Sequence, residues 1–155
     1  MTDTDLLDRA FAAIIARMVR TGQAPHYIEL ATELGVDPET GRTVVNDLMS
    51  AGIPGWTHPG TDYIASFPPF NNQPTQYRIT VDGEQKWFAQ CGFEALAVRW
   101  LFPGRTVRID APCLDCGESF SVELLDEEIL TVDPPDMVGY SSSAVGGDAA
   151  SRPFR

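Results

Sequence analysis

Trp87-Phe88-Ala89-Gln90-Cys91-Gly92-Phe93-Glu94-Ala95-Leu96 changes its period in mid-run. Up to Ala89 it reads as the second strand of a hairpin: Tyr77-Arg78-Ile79-Thr80-Val81 alternates, Asp82-Gly83 is a turn signal, and Lys86 to Ala89 returns. Beyond Cys91 the apolar residues Phe93, Leu96, Ala97, Trp100 and Leu101 recur at helical spacing and stop at Pro103-Gly104. A strand therefore runs straight into a helix, with Cys91 at the junction and Glu94 three residues on. At that spacing a thiol and a carboxyl share one helix face, which sets a proton carrier beside a soft nucleophile.

Working outward, Thr106 to Asp110 and Ser119 to Leu125 read as two more strands joined by the turn Cys113-Leu114-Asp115-Cys116-Gly117. Glu128 to Val132 and Met137 to Ser141 are candidate edge strands. Upstream, Leu6, Leu7, Ala10, Phe11, Ile14, Ile15 and Met18 define an amphipathic helix; Tyr27 to Leu34 forms a second and Thr40 to Ala51 a third. The expected class is α+β. A helical, winged-helix-like module (residues 1–60) leads through a proline-rich linker or covering loop (61–76) to a small, mostly antiparallel sheet with one helix carrying the cysteine site (77–140). A Ser-, Gly- and Ala-rich stretch (141–155) is expected to be flexible. Trp87, Phe93, Trp100 and Phe102 are expected to anchor the cysteine helix through buried apolar area.

The 155 residues carry 43% apolar side chains, enough for a proper core, and a net charge of −11. That charge argues against nucleic acid as a partner, because phosphate binding needs a basic surface. There is no apolar run long enough for a bilayer and no basic leader, so the default expectation is a cytoplasmic protein without a membrane partner. In that compartment three cysteines read as reduced thiols or metal ligands.

Alone, Cys91 reads equally as a small buried hydrophobe, and Glu94 as an ordinary glutamate in a first helical turn. As a pair they make sense if Glu94 accepts the thiol proton and delivers it to a leaving carbanion. Cys113-x-x-Cys116-Gly is the knuckle used by zinc ribbons, but only one knuckle is present, and His26 and His58 lack ligand spacing. A structural zinc, two free thiols that hold or pass on a soft cation, and an inert turn all remain open readings. Cys91, Cys113 and Cys116 are the candidate metal ligands.

From Tyr77 to Val138 the sequence resembles the alkylmercury (organomercurial) lyases. The likeness rests on the Trp87 to Leu96 run, on Phe102-Pro103-Gly104-Arg105-Thr106-Val107-Arg108-Ile109, on Cys113, and on Ser121-Val122-Glu123-Leu124 leading to Val132-Asp133-Pro134. The resemblance implies protonolysis of a carbon–mercury bond, giving hydrocarbon and Hg(II) with no required cofactor. Cys91 would bind the organomercurial, and Glu94 would shuttle the proton from a position where the family usually has aspartate. It also implies small thiols or a mercury reductase as acceptors of the metal. The family's second catalytic cysteine lies in a later Phe-Cys context; this sequence reaches Arg155 about where that segment would begin, leaving Cys113 and Cys116 as the other thiols. A non-catalytic thiol module for Zn, Cu or Hg, and a lyase-like scaffold recruited to other small-molecule chemistry, are the alternatives.

Overall fold

The structure, a computed structural model, describes residues 2–139. The stretch expected to be flexible, 141–155, lies outside them. Three helices open the chain: α1 (Thr4–Thr21), α2 (Tyr27–Leu34) and α3 (Pro38–Ser50). Each end has a chemical cause. Gly22 closes α1 in the left-handed region at φ 74°, and a Cβ there would lie 2.7 Å from the Lys86 side chain and 2.8 Å from its carbonyl. His26 accepts the Ile28 N–H through Nδ1 while Glu29 reaches back to the His26 amide, a capping box that starts α2. Asp37 caps α3, with Pro38 in its first turn. Ala10, Ile14 and Met18 of α1 are buried against Leu30, Leu34, Val44, Val45 and Leu48. The expected three helices are thus present.

The remaining elements form an antiparallel sheet, eight-stranded among the described residues, in the order β1-β2-β3-β5-β4-β6-β7-β8. The strands are β1 (Trp56–Thr57), β2 (Ile64–Phe67), β3 (Phe70–Asn71), β4 (Arg78–Val81), β5 (Glu84–Ala89), β6 (Thr106–Pro112), β7 (Ser119–Leu125) and β8 (Glu128–Asp133). With three helices in front, this is the expected α+β architecture. Inside the stretch read as a linker or covering loop, β2 and β3 are sheet strands whose residues are all buried. Burial on both faces removes the alternation that marks a half-exposed strand, so periodicity does not find them. Glu128 to Asp133 is an edge strand as expected. Met137 to Gly139 form no strand, and the rest of that candidate lies outside the described residues.

One face of the sheet meets the helices. Trp87 is 2% exposed, packs edge-on against Phe102 with ring centroids 4.9 Å apart, and donates its indole N–H to the Met18 carbonyl at 2.8 Å. Strand β5 is thereby fixed to the end of α1 by packing and by a satisfied buried donor.

Candidate active site at the strand-to-helix junction

After Ala89 the chain leaves the sheet through Gln90, whose buried side chain donates to the Pro54 carbonyl at 2.8 Å and whose amide reaches the Pro69 carbonyl at 3.3 Å. These bonds clamp the residue before Cys91 against the segment that carries β1 to β3. Cys91 keeps an extended backbone (φ −149°, ψ 174°) as the N-cap of a short helix, α4 (Gly92–Ala97), and a 3-10 turn (Val98–Leu101) follows. The expected single helix is therefore split, with buried Ala95 and Val98 as its inner side.

Cys91 and Glu94 come together as the i, i+3 spacing requires. The Cys91 thiol is half-buried and donates to the Glu94 carboxyl, while Oε2 of Glu94 is buried without a hydrogen-bond partner. Burial raises the Glu94 carboxyl to about 7; the thiol's hydrogen bond acts in the opposite sense and does not offset it. Burial also raises the Cys91 thiol, and a charged Glu94 would raise it further. Its side chain makes no full cap hydrogen bond, although the Glu94 and Phe93 amides approach the sulfur and partly counter the shift. The result is a protonated thiol beside an acid that exchanges its proton near neutrality, with a direct path between them.

Beside the pair runs a shallow apolar groove of about 440 Å³, lined by Phe93, Glu94, Leu96, Ala97, Arg99 and Trp100. This corrects the expected anchoring. Trp87 and Phe102 are buried, but Phe93 is 67% and Trp100 62% exposed. A short helix packed against a sheet can bury only one side, and α4 uses that side for Ala95. The Arg99 guanidinium stacks over the Trp100 ring at 5.0 Å, which holds the indole in place.

Cys113 and Cys116 lie in the β6–β7 turn, which is closed by Cys113 N–H to the Glu118 carbonyl at 2.7 Å and Gly117 N–H to the Cys113 carbonyl at 3.0 Å. Cys113 is half-buried and Cys116 exposed. The Cys116 amide, then the Asp115 amide and the Cys116 side chain, hold the Cys113 thiol below its ordinary value. Among the described residues, no three of His, Cys, Asp and Glu gather closely enough to hold a metal ion. The three cysteines thus fall into one thiol–carboxyl pair and one dithiol, and His26 is engaged as a helix cap.

Sequence reasoning did not single out Tyr77 as part of this region. Its side chain is 5% exposed, and the ring edge and hydroxyl face Gly92, where a Cβ would stand 3.6 Å from the oxygen. Burial raises its phenol, and negative charge on Cys91 or on Cys113 would raise it further, so it lies within electrostatic reach of both thiols. Tyr77 reads as one more inward residue in the alternation with Ile79 and Val81; only register places it between the cysteines.

Residues 70–152, a little over half of the chain, match the family described as MerB, alkylmercury lyase. Alkylmercury lyases of Bacillus cereus and Clostridium butyricum are each 35% identical over 68 residues, which is 42% of this chain and 29% of the relative. The match therefore spans under a third of the length of those relatives. A crystal structure described as the mercury-bound form of MerB2 shares the fold, with a TM-score of 0.63 at 20% identity over 96% of this chain and 79% of that one. No helix among the described residues is long and apolar enough to cross a membrane. The family match over the segment that holds the junction and the cysteine turn, borne on a shared fold, makes this chain a member of the alkylmercury lyase family.

Proposed function

We propose that the chain cleaves the carbon–mercury bond of organomercurials by protonolysis, giving a hydrocarbon and Hg(II). The observation that carries this reading is the Cys91–Glu94 pair, a half-buried thiol in hydrogen-bond contact with a carboxyl that burial holds near 7. In the first step the Cys91 sulfur bonds to mercury and the ligand opposite the organic group leaves as an anion. Glu94, when ionised, takes the thiol proton. In the second step Glu94 gives that proton to the mercury-bound carbon. The carbon–mercury bond breaks with its electron pair going to the new C–H bond, and Hg(II) remains on Cys91.

Thiolate suits a soft cation and adds electron density to it, which favours departure of the carbon. A carboxyl with a value near 7 can take and return the proton at neutral pH, whereas an ordinary glutamate would stay ionised. The groove of Phe93, Leu96, Ala97 and Trp100 supports the reading, since it offers the organic group an apolar wall next to the acid. Small thiols or a mercury reductase would then accept the metal.

The deciding experiment treats reduced protein with phenylmercury and excess small thiol and measures benzene. Wild type is expected to release it and Cys91→Ser to stay at background. Equal yields from the two, or an intact phenylmercury adduct on both, would replace catalysis with simple thiol trapping.

A further inference from the structure

The pairing of the central strands places Cys113 in a definite relation to Cys91. Strand β4 is antiparallel to both β5 and β6, so β5 and β6 run parallel to each other with β4 between them. Arg78 pairs with Phe88 on one side and Asp110 on the other, which sets Tyr77 between Ala89 and Ala111. The Ala89 amide bonds the Tyr77 carbonyl at 3.1 Å, so this row is formed on the β5 side. Ala89, Tyr77 and Ala111 are all buried and share the core face. Cys91 and Cys113 each stand two residues further along, at the same end of the sheet, and period two returns the still-paired Cys113 to that face. Cys91 stands just past the end of β5 with extended dihedrals, and Cys113 still bonds across the hairpin to Glu118. The two backbones are two strand spacings apart, roughly 10 Å. Tyr77 sits in the row behind them, within electrostatic reach of both thiols. Exposure then rises in order, from half-buried Cys91 and Cys113 to exposed Cys116.

We propose that Cys113 and Cys116 are the receiving site for the Hg(II) formed at Cys91, so that the metal moves along the sheet end from the junction to solvent. The proposal rests on the lyase reading and adds to it the destination and order of the metal's transfer. Two thiolates are a sufficient ligand set for this soft cation, which is why a pair without a third ligand can serve. The transfer is ligand exchange without redox. The Cys113 sulfur bonds to mercury as the bond to Cys91 breaks, and the Cys113 proton ends on Cys91. Cys116 then bonds to the same Hg(II) as its second thiolate, and the Cys116 proton passes to solvent. Mercury stays divalent throughout, and Cys91 is returned to its starting thiol form.

The test follows mercury by thiol protection. Reduced protein receives one equivalent of phenylmercury, or of mercuric chloride, without small thiol. Samples taken over time are alkylated with iodoacetamide and digested, and the unlabelled cysteines are read by mass spectrometry. With phenylmercury, protection is expected at Cys91 first and at Cys113 and Cys116 afterwards, at a rate unchanged over a tenfold range of protein concentration. With mercuric chloride, Cys113 and Cys116 are expected to be protected at equilibrium. Protection should move to Cys91 in Cys113→Ser/Cys116→Ser, and circular dichroism checks that this variant is folded. Mercury resting on Cys91 in wild type overturns the relay, as does a transfer rate proportional to protein concentration. Absence of benzene would sink the lyase reading alone, because the mercuric chloride arm still reports whether the dithiol is the preferred seat.

Discussion

The junction at Cys91 and the turn at Cys113–Cys116 both present thiols, yet their surroundings push those thiols in opposite directions. At the junction, burial raises both groups, and charge on the neighbouring carboxyl raises the thiol further. In the turn, backbone amides and the second thiol favour the anion on Cys113. The first arrangement stores a proton beside a sulfur and suits bond cleavage. The second eases loss of the Cys113 proton and suits metal retention. Sulfur count alone would not separate these two roles; the degree of burial does.

The strongest break in this comparison is Cys91→Ser, which removes the sulfur from the protonating site. Benzene release from phenylmercury is expected to fall by roughly a thousandfold or more. Glu94→Gln keeps the shape and removes the proton, and a loss of about 10²- to 10⁴-fold in single-turnover cleavage is expected. Glu94→Asp, which retracts the acid by one methylene, should retain measurable activity. A result in which the Gln variant matches wild type would remove Glu94 from the chemistry.

The same carboxyl makes a signed prediction about stability. Its folded value, about 7, lies above the ordinary 4.5, so protonation favours the folded state and the contribution is lost as pH rises through 7. Relative to Glu94→Gln, wild type is expected to lose stability between about pH 4.5 and 8, by up to about 3 kcal/mol if the site were wholly shielded and less given its partial exposure. Urea denaturation of both proteins at pH 5 and pH 8 measures it. A constant difference across that window would mean the carboxyl is not shifted.

Two tryptophans sharpen the contrast between scaffold and groove. Trp87→Ala deletes a buried ring and leaves the Met18 carbonyl without its indole donor, at an expected cost of roughly 3–5 kcal/mol. Trp100→Ala removes a ring that is 62% exposed and should change stability by about 0.5 kcal/mol or less. Its effect is expected in KM for phenylmercury, with little change for methylmercury, which does not fill the groove. Thermal melts and paired kinetics would test both.

Most of the scaffold was legible because its strands and helices bury one side each. Leu6 to Met18 and Tyr77 to Ala89 announce their period, and the i, i+3 spacing put Cys91 beside Glu94 correctly. Ile64 to Asn71 escaped because a strand covered on both faces has no alternation and its prolines read as loop. Phe93 and Trp100 were misjudged for a related reason: helical spacing shows that apolar residues share a side without saying whether anything covers it. Tyr77 carries no local mark. Its place between two cysteines arises from pairing between strands distant in sequence, which periodicity does not encode.

The parallel relation of β5 and β6 through the intervening β4 makes the pleat a ruler graduated in pairs of residues. One neutral residue inserted between Ala111 and Cys113 would leave charge and both thiols unchanged, yet turn Cys113 to the opposite face of the sheet. Inserting two would restore its direction one step farther out. On the proposed route, parity along a strand, as much as chemical identity, would decide which sulfur a metal ion can find next.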